Sequence, residues 1–179
     1  MLLNLDAASI AQPGRRCPPP SEVDPGRQAM YAPNFEPRDP RLRRLMDVAT
    51  ELEVLGLASD RLAARELPFM LTGSFALAYY STPRMTRDLD IVLAVAEKDV
   101  EQLVADFTPD FYIDADAVRT AIRTERMFTV MHLESGIKVD LIVRKSAEYR
   151  QLELARRQRV ELGGVRTWIV SREDLILLP

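Results

Sequence analysis

The sequence predicts a mixed α/β (α+β) domain, a small mixed central sheet flanked by helices, and three observations carry that prediction. Short apolar runs of strand character alternate with segments of helical period. Glycine, proline and Asp/Ser turn residues punctuate the junctions between them. The length of 179 residues suits one core rather than two.

Taken in order, residues 1–38 read as a disordered, Pro-rich tail, because eight of the twelve prolines lie between Pro13 and Pro40 and a periodic apolar pattern is almost absent. The domain is expected over 39–179. It opens at Asp39-Pro40, a capping acid followed by the residue suited to the first helical position. Leu42, Leu45, Met46, Ala49 and Leu52 recur at helical spacing as far as about Leu55. Gly56 is expected to separate this helix from a shorter one, Ser59 to Glu66.

Phe69 to Thr72 reads as a buried strand ended by Gly73, with a short helix from Ser74 to Tyr80 and a second strand from Asp88 to Val95. Glu97 to Phe107 is an amphipathic helix with Val100, Leu103, Val104 and Phe107 inward, and Ala115 to Arg126 is another. Phe128 to Leu133 and Ile137 to Val143 form a hairpin around Glu134-Ser135-Gly136. Ser146 to Arg157 is helical, and Val160 to Val170 is strand-like around Gly163-Gly164. Ser171-Arg172-Glu173-Asp174 opens a last helix as a capping motif.

Composition excludes several function classes. One cysteine, Cys17, and one histidine, His132, allow neither a disulfide framework nor a Cys/His zinc site within the chain. A net charge of −3 does not suit coating nucleic acid through bulk charge. No apolar run approaches the roughly 18–20 residues of a membrane span. The start, with Asp6 where a signal peptide needs its apolar core, leaves the cytoplasm as the expected location.

The chemistry lies in three acids. Side chains alternate along a strand, so Asp88 and Asp90 share one face while Leu89 and Ile91 share the other. Asp140 stands likewise between Val139 and Leu141. Carboxylates converging on a half-buried sheet repel one another unless a cation neutralises them. Without His or Cys, the expected ion is hard, Mg²⁺ or Mn²⁺, completed by water and phosphate. Gly73-Ser74 occupies a strand-to-helix turn, where free N–H groups favour an anion. Any metal centre is therefore expected beside a phosphate cradle.

A GS pair, thirteen intervening residues, a DLD and a single strand acid about fifty residues on resemble the polymerase-β-like nucleotidyltransferase superfamily. More narrowly, LTGSFALAYYSTPRMTRDLDIVL, IKVDLIV and VSREDLILL look like the minimal bacterial nucleotidyltransferases that include AbiEii-type toxins. The resemblance covers residues 67–178. It implies a nucleotidyltransferase-like fold, Gly73 and Ser74 on phosphate, and Asp88, Asp90 and Asp140 as catalytic and metal-holding acids for two ions. It also implies transfer of a nucleoside monophosphate from an NTP to an RNA, tRNA among the candidates, or to a protein hydroxyl. A cognate antitoxin protein is the further partner it implies. The family pattern continues into more helices, so the domain is expected to be minimal or cut short at Pro179.

Arg84 and Arg87 flank the acids as triphosphate contacts or as structural ion pairs, and Lys138 shares the Asp140 face as a further phosphate contact. Arg144, Lys145, Arg150, Arg156, Arg157 and Arg159 form either a solvated face or an RNA-binding patch. His132 and Trp168 read as structural, Tyr79 and Tyr80 as packing, and Asp106, Asp110, Asp114 and Asp116 as turn and cap acids. The reading from a different class is a catalytically silent nucleotide- or partner-binding module. A DxD glycosyltransferase fits less well, since too few residues precede the motif.

Overall fold

A computed structural model describes residues 40–81 and 88–177, with side chains from Val48 onward. The expected tail, together with Arg84 and Arg87, lies outside the described residues. Within the described residues, six α-helices and seven strands follow in order: α1 (Pro40–Ala64), β1 (Phe69–Thr72), α2 (Gly73–Tyr80), β2 (Asp88–Leu93), α3 (Val100–Phe107), β3 (Phe111–Tyr112), α4 (Ala115–Thr124), β4 (Met127–His132), β5 (Lys138–Val143), α5 (Glu148–Ala155), β6 (Gln158–Leu162), β7 (Val165–Ile169) and α6 (Arg172–Ile176). Among these residues no helix is long and apolar enough to cross a membrane.

The expected break at Gly56 does not occur, and α1 runs through it to Ala64. Glycine costs a helix interior about 1 kcal/mol. Fully burying one Leu side chain is worth about 1.5–3 kcal/mol, and α1 buries Val54, Leu55, Ala58 and Leu62 together. Tertiary packing therefore overrides the local breaker. Gly56 faces β7, where an added β-carbon would meet Val165 Cγ2 at 3.6 Å. Three residues on, Ser59 Oγ and Thr167 Oγ1 hydrogen-bond at 2.9 Å in the interior. Past Ala64 the chain leaves the helix through Glu66, at φ 54°, while Leu67 N–H donates to Leu62 O at 3.1 Å.

One mixed sheet carries all seven strands in the order β3-β4-β5-β2-β1-β7-β6. At its centre β2 and β5 are parallel, and β1 runs antiparallel to β2 and parallel to β7. The expected hairpin forms, β4 with β5, and the strand-like segment around Gly163-Gly164 folds into a second, β6 with β7. Gly163 and Gly164 supply the positive φ angles of the second turn. The sequence reading missed β3, whose two residues pair Phe111 with His132 and Tyr112 with Met131. A two-residue strand shows no period, so only its partner defines it.

Alternation on β2 and β5 is strict: Leu89, Ile91, Leu93, Val139, Leu141 and Val143 are buried, while the residues between them are not. These six join α1, α3 and α4 in one core with Val100, Leu103, Phe107, Val118 and Ala121. The segment expected as one helix from Glu97 starts as a 3₁₀ turn, Glu97–Asp99, in which Ala96 N–H donates to Asp99 Oδ2. Asp114 is a cap acid, as expected, accepting from the N–H groups of Asp116 and Ala117. His132 is structural, its Nδ1 2.8 Å from Ser135 Oγ and its ring set against Phe111.

Candidate active site

Burying one face of β2 and β5 leaves the other to functional side chains. Parallel pairing sets Asp88 beside Lys138, Asp90 beside Asp140 and Val92 beside Ile142. On the outer flanks Thr72 of β1 pairs with Asp90, and Thr129 of β4 pairs with Asp140. One row across four strands therefore reads Thr129, Asp140, Asp90, Thr72. Strand periodicity put these acids on faces, and register made them neighbours. Asp88 lies on the same face, two residues along β2, and is exposed, while Asp90 and Asp140 are half-buried.

Electrostatics reflect the crowding. Burial pushes the Asp90 carboxyl above the usual aspartate range, and the charges of Asp140 and then Asp88 push it further. Thr129 Oγ1 donates to Asp140 Oδ1 at 2.5 Å, which fixes one oxygen of that carboxylate.

Gly73 closes the row from the side. Its φ is +65°, and a β-carbon there would stand 2.8 Å from Asp90 Cγ. Glycine is required both by the backbone turn and by the carboxylate pressed against it. Ser74 follows in the first turn of α2. At the far end of α2, Tyr80 donates its hydroxyl to Val170 O at 2.8 Å, the packing role expected of it.

Two cavities meet the acid face. One, of about 380 Å³, includes Thr72, Gly73, Asp90, Val92, Ile142, Arg144 and Lys145 in its lining. The other, of about 410 Å³, is lined by Asp88, Lys138, Thr50, Glu51 and the Ser135–Ile137 turn. Thr72 lines the first, and its Oγ1 is buried with no hydrogen-bond partner among the described residues. The sequence reading passed over Thr72 as the last residue of an apolar strand. Its position directly before Gly73-Ser74 is the signal that would have found it.

The donor set suits a hard divalent cation: carboxylates at a crowded row, a raised Asp90 and an unpartnered hydroxyl beside it. Among the described residues no three His, Cys, Asp or Glu side chains are drawn together closely enough to hold an ion by themselves. Mg²⁺ commonly takes only one or two carboxylates and completes its octahedron with water and phosphate. The arrangement fits such an open site rather than a closed protein cage.

The basic run divides in space. Arg156 pairs with Asp174, at 2.5 Å, and Arg157 stacks on Trp168 with its guanidinium 4.6 Å from the ring centre. Arg144, Lys145 and Arg150 instead line the cavity at Asp90. The run expected as one solvated or RNA-binding face is thus divided: Arg156 and Arg157 tie the end of α5 to α6 and to β7.

No family model matches the chain, and no curated protein matches it. Solved structures do. A Thermotoga maritima protein proposed to be a nucleotidyltransferase aligns at a TM-score of 0.50 and 20% identity, covering 72% of this chain and 82% of that one. This chain has a nucleotidyltransferase-like fold. A lincomycin-bound lincosamide antibiotic adenylyltransferase aligns at a TM-score of 0.47 and 11% identity, over 72% of this chain and 84% of that one. An antigenic nucleotidyltransferase-like protein of Paracoccidioides brasiliensis gives 0.46 and 17%, over 71% and 63%.

Proposed function

We propose that this chain is a Mg²⁺- or Mn²⁺-dependent nucleotidyltransferase that moves a nucleoside monophosphate from an NTP to a hydroxyl and releases pyrophosphate. The observation that carries the reading is the side-by-side placement of Asp90 and Asp140, with Asp88 on the same face and Gly73 closed against Asp90. Asp88, Asp90 and Asp140 would hold two ions, which when bound supply charge neutralisation at the entering and leaving oxygens.

The chain's own groups account for the rest. The turn at Gly73-Ser74 presents backbone N–H groups to a phosphate. Asp140, fixed on one oxygen by Thr129, uses the other to orient the acceptor hydroxyl and take its proton. The acceptor oxygen then bonds to the α-phosphorus as the α–β bridging P–O bond breaks, and the electron pair leaves with pyrophosphate. Lys138, exposed beside Asp88, suits a phosphate or acceptor contact.

For the acceptor, an RNA, tRNA among the candidates, or a protein hydroxyl is supported by the AbiEii-type resemblance alone. The same holds for a toxin role with a cognate antitoxin. The test is incubation of the protein with each labelled NTP, Mg²⁺ and either total cell RNA or lysate. Metal-dependent label transfer is expected, abolished by EDTA and reduced at least about 100-fold in Asp90→Asn and Asp140→Asn. Nucleotide binding with no transfer to any acceptor would replace the enzyme with a silent nucleotide-binding module.

A further inference from the structure

The cavity beside Asp90 has a cationic wall that the acid row does not explain. Arg144 and Lys145 leave the end of β5, where Arg144 N–H is tied to Leu93 O at 2.9 Å. Arg150, in the first turns of α5, joins them in the lining together with Glu153. Arg150 Nη1 donates to both carboxylate oxygens of Glu153, at 3.2 and 3.0 Å. The Glu153 side chain is only 2% exposed. A carboxylate buried to that degree is unfavourable without a paired charge. Arg150 is that charge, and the pairing in turn fixes its guanidinium at the cavity rather than leaving it to sweep through water.

Three features make this wall suited to a polyanion. Three cations meet two acids, Asp90 and Glu153, in one cavity. Its apolar residues, Val92, Ile142 and Val143, lower the local dielectric and so strengthen any ionic hydrogen bond made there. Thr72, in the same lining, carries a buried hydroxyl with no partner among the described residues, a polar group left over where an ionic ligand would sit.

We propose that Arg144, Lys145 and Arg150 bind the β- and γ-phosphates of the nucleotide, and that Glu153 is a positioning residue that acts by holding Arg150. This rests on the nucleotidyltransferase reading for the identity of the ligand. The guanidinium fork of Arg150 matches phosphate oxygens, and Lys145 adds a point charge. Glu153 touches no substrate. Its effect passes wholly through Arg150.

Calorimetry on the full chain tests this, with each of the four NTPs, the matching NMPs and inorganic tripolyphosphate as probes, in Mg²⁺. Arg150→Ala is expected to weaken NTP and tripolyphosphate binding about 30-fold, and Glu153→Gln about fivefold, with NMP affinity unchanged in both. Glu153→Gln added to Arg150→Ala is expected to cost nothing further, because its route of action is gone. Arg150→Lys, keeping charge without the fork, should fall between wild type and Arg150→Ala. If Glu153→Gln does not fold, Glu153→Asp takes its place.

Equal losses for NTP and NMP, additive effects in the double variant, or unchanged NTP binding would overturn the proposal. So would a loss of RNA binding with NTP affinity intact, which would make the wall an RNA contact. Tripolyphosphate binding that depends on Arg150 without transfer to any acceptor would sink the transferase reading and leave the wall standing. Transfer with wild-type KM in Arg150→Ala would do the reverse.

Discussion

Gly73 and Asp90 are locked together: a β-carbon on residue 73 would stand 2.8 Å from Asp90 Cγ and 3.0 Å from its Cβ, at a backbone φ of +65° that L side chains rarely adopt. Gly73→Ala is therefore expected to cost on the order of 1–3 kcal/mol of stability from backbone strain alone. Displacement of Asp90 from Asp140 should add a loss of transfer activity beyond what the stability loss explains. Thermal melts and activity of Gly73→Ala measured below its melting temperature check both. Wild-type activity in a folded Gly73→Ala would refute the required close approach.

Thr72 carries the opposite kind of tension, a buried hydroxyl without a partner among the described residues. Thr72→Val removes the hydroxyl at nearly constant shape. In the ligand-free protein it is expected to raise stability by about 1 kcal/mol, the relief of an unsatisfied polar group. Nucleotide affinity should fall at the same time, by about fivefold. A variant less stable than wild type and equal in nucleotide binding would show that the hydroxyl faces no ligand.

Asp90 gives a pH dependence in the metal-free protein. Its folded-state pKa is raised, by burial first and then by the charges of Asp140 and Asp88. Folding thus favours the protonated form. The stability it contributes is full below the ordinary aspartate value and is lost as pH rises through the raised value. In EDTA, Asp90→Asn should melt higher than wild type at neutral pH and show a flatter profile in the window just above the ordinary aspartate value. The two proteins are expected to converge below it.

Asp174 has the reverse sign. Burial pushes its carboxyl up, but Ser171, Tyr149 and Arg156 together hold it below the usual aspartate range. Its contribution is present above the ordinary value and is lost as pH falls through the lowered one. Asp174→Asn is expected to cost about 2–3 kcal/mol near neutral pH, because charge-assisted bonds from α5 and from the Ser171 cap are weakened. Chemical denaturation at several pH values should show the gap between wild type and variant closing on the acid side.

Much of the fold was legible because strand and helix periods are local properties. The Asp88–Leu93 alternation, the β4–β5 hairpin and the Ser171 cap all appear where the sequence places them. The helix runs through Gly56 because the local cost of glycine is small beside the core that α1 buries. The division of the basic run is invisible for a related reason: spacing cannot tell an arginine facing water from one stacked on Trp168.

The chemistry available to this protein is set by its residue types and their spacing. The sequence supplied three acids on strand faces, a Gly-Ser turn after a strand, and no Cys or His set to compete for a soft metal. Tertiary structure alone decided which of these groups meet. A one-residue change of register between β2 and β5 would part Asp90 from Asp140, and that register is held by the buried leucines, isoleucine and valines on the other face. The burial of the Thr72 hydroxyl and of the Glu153 carboxylate likewise exists only once distant segments pack, since burial is a property of the assembled chain.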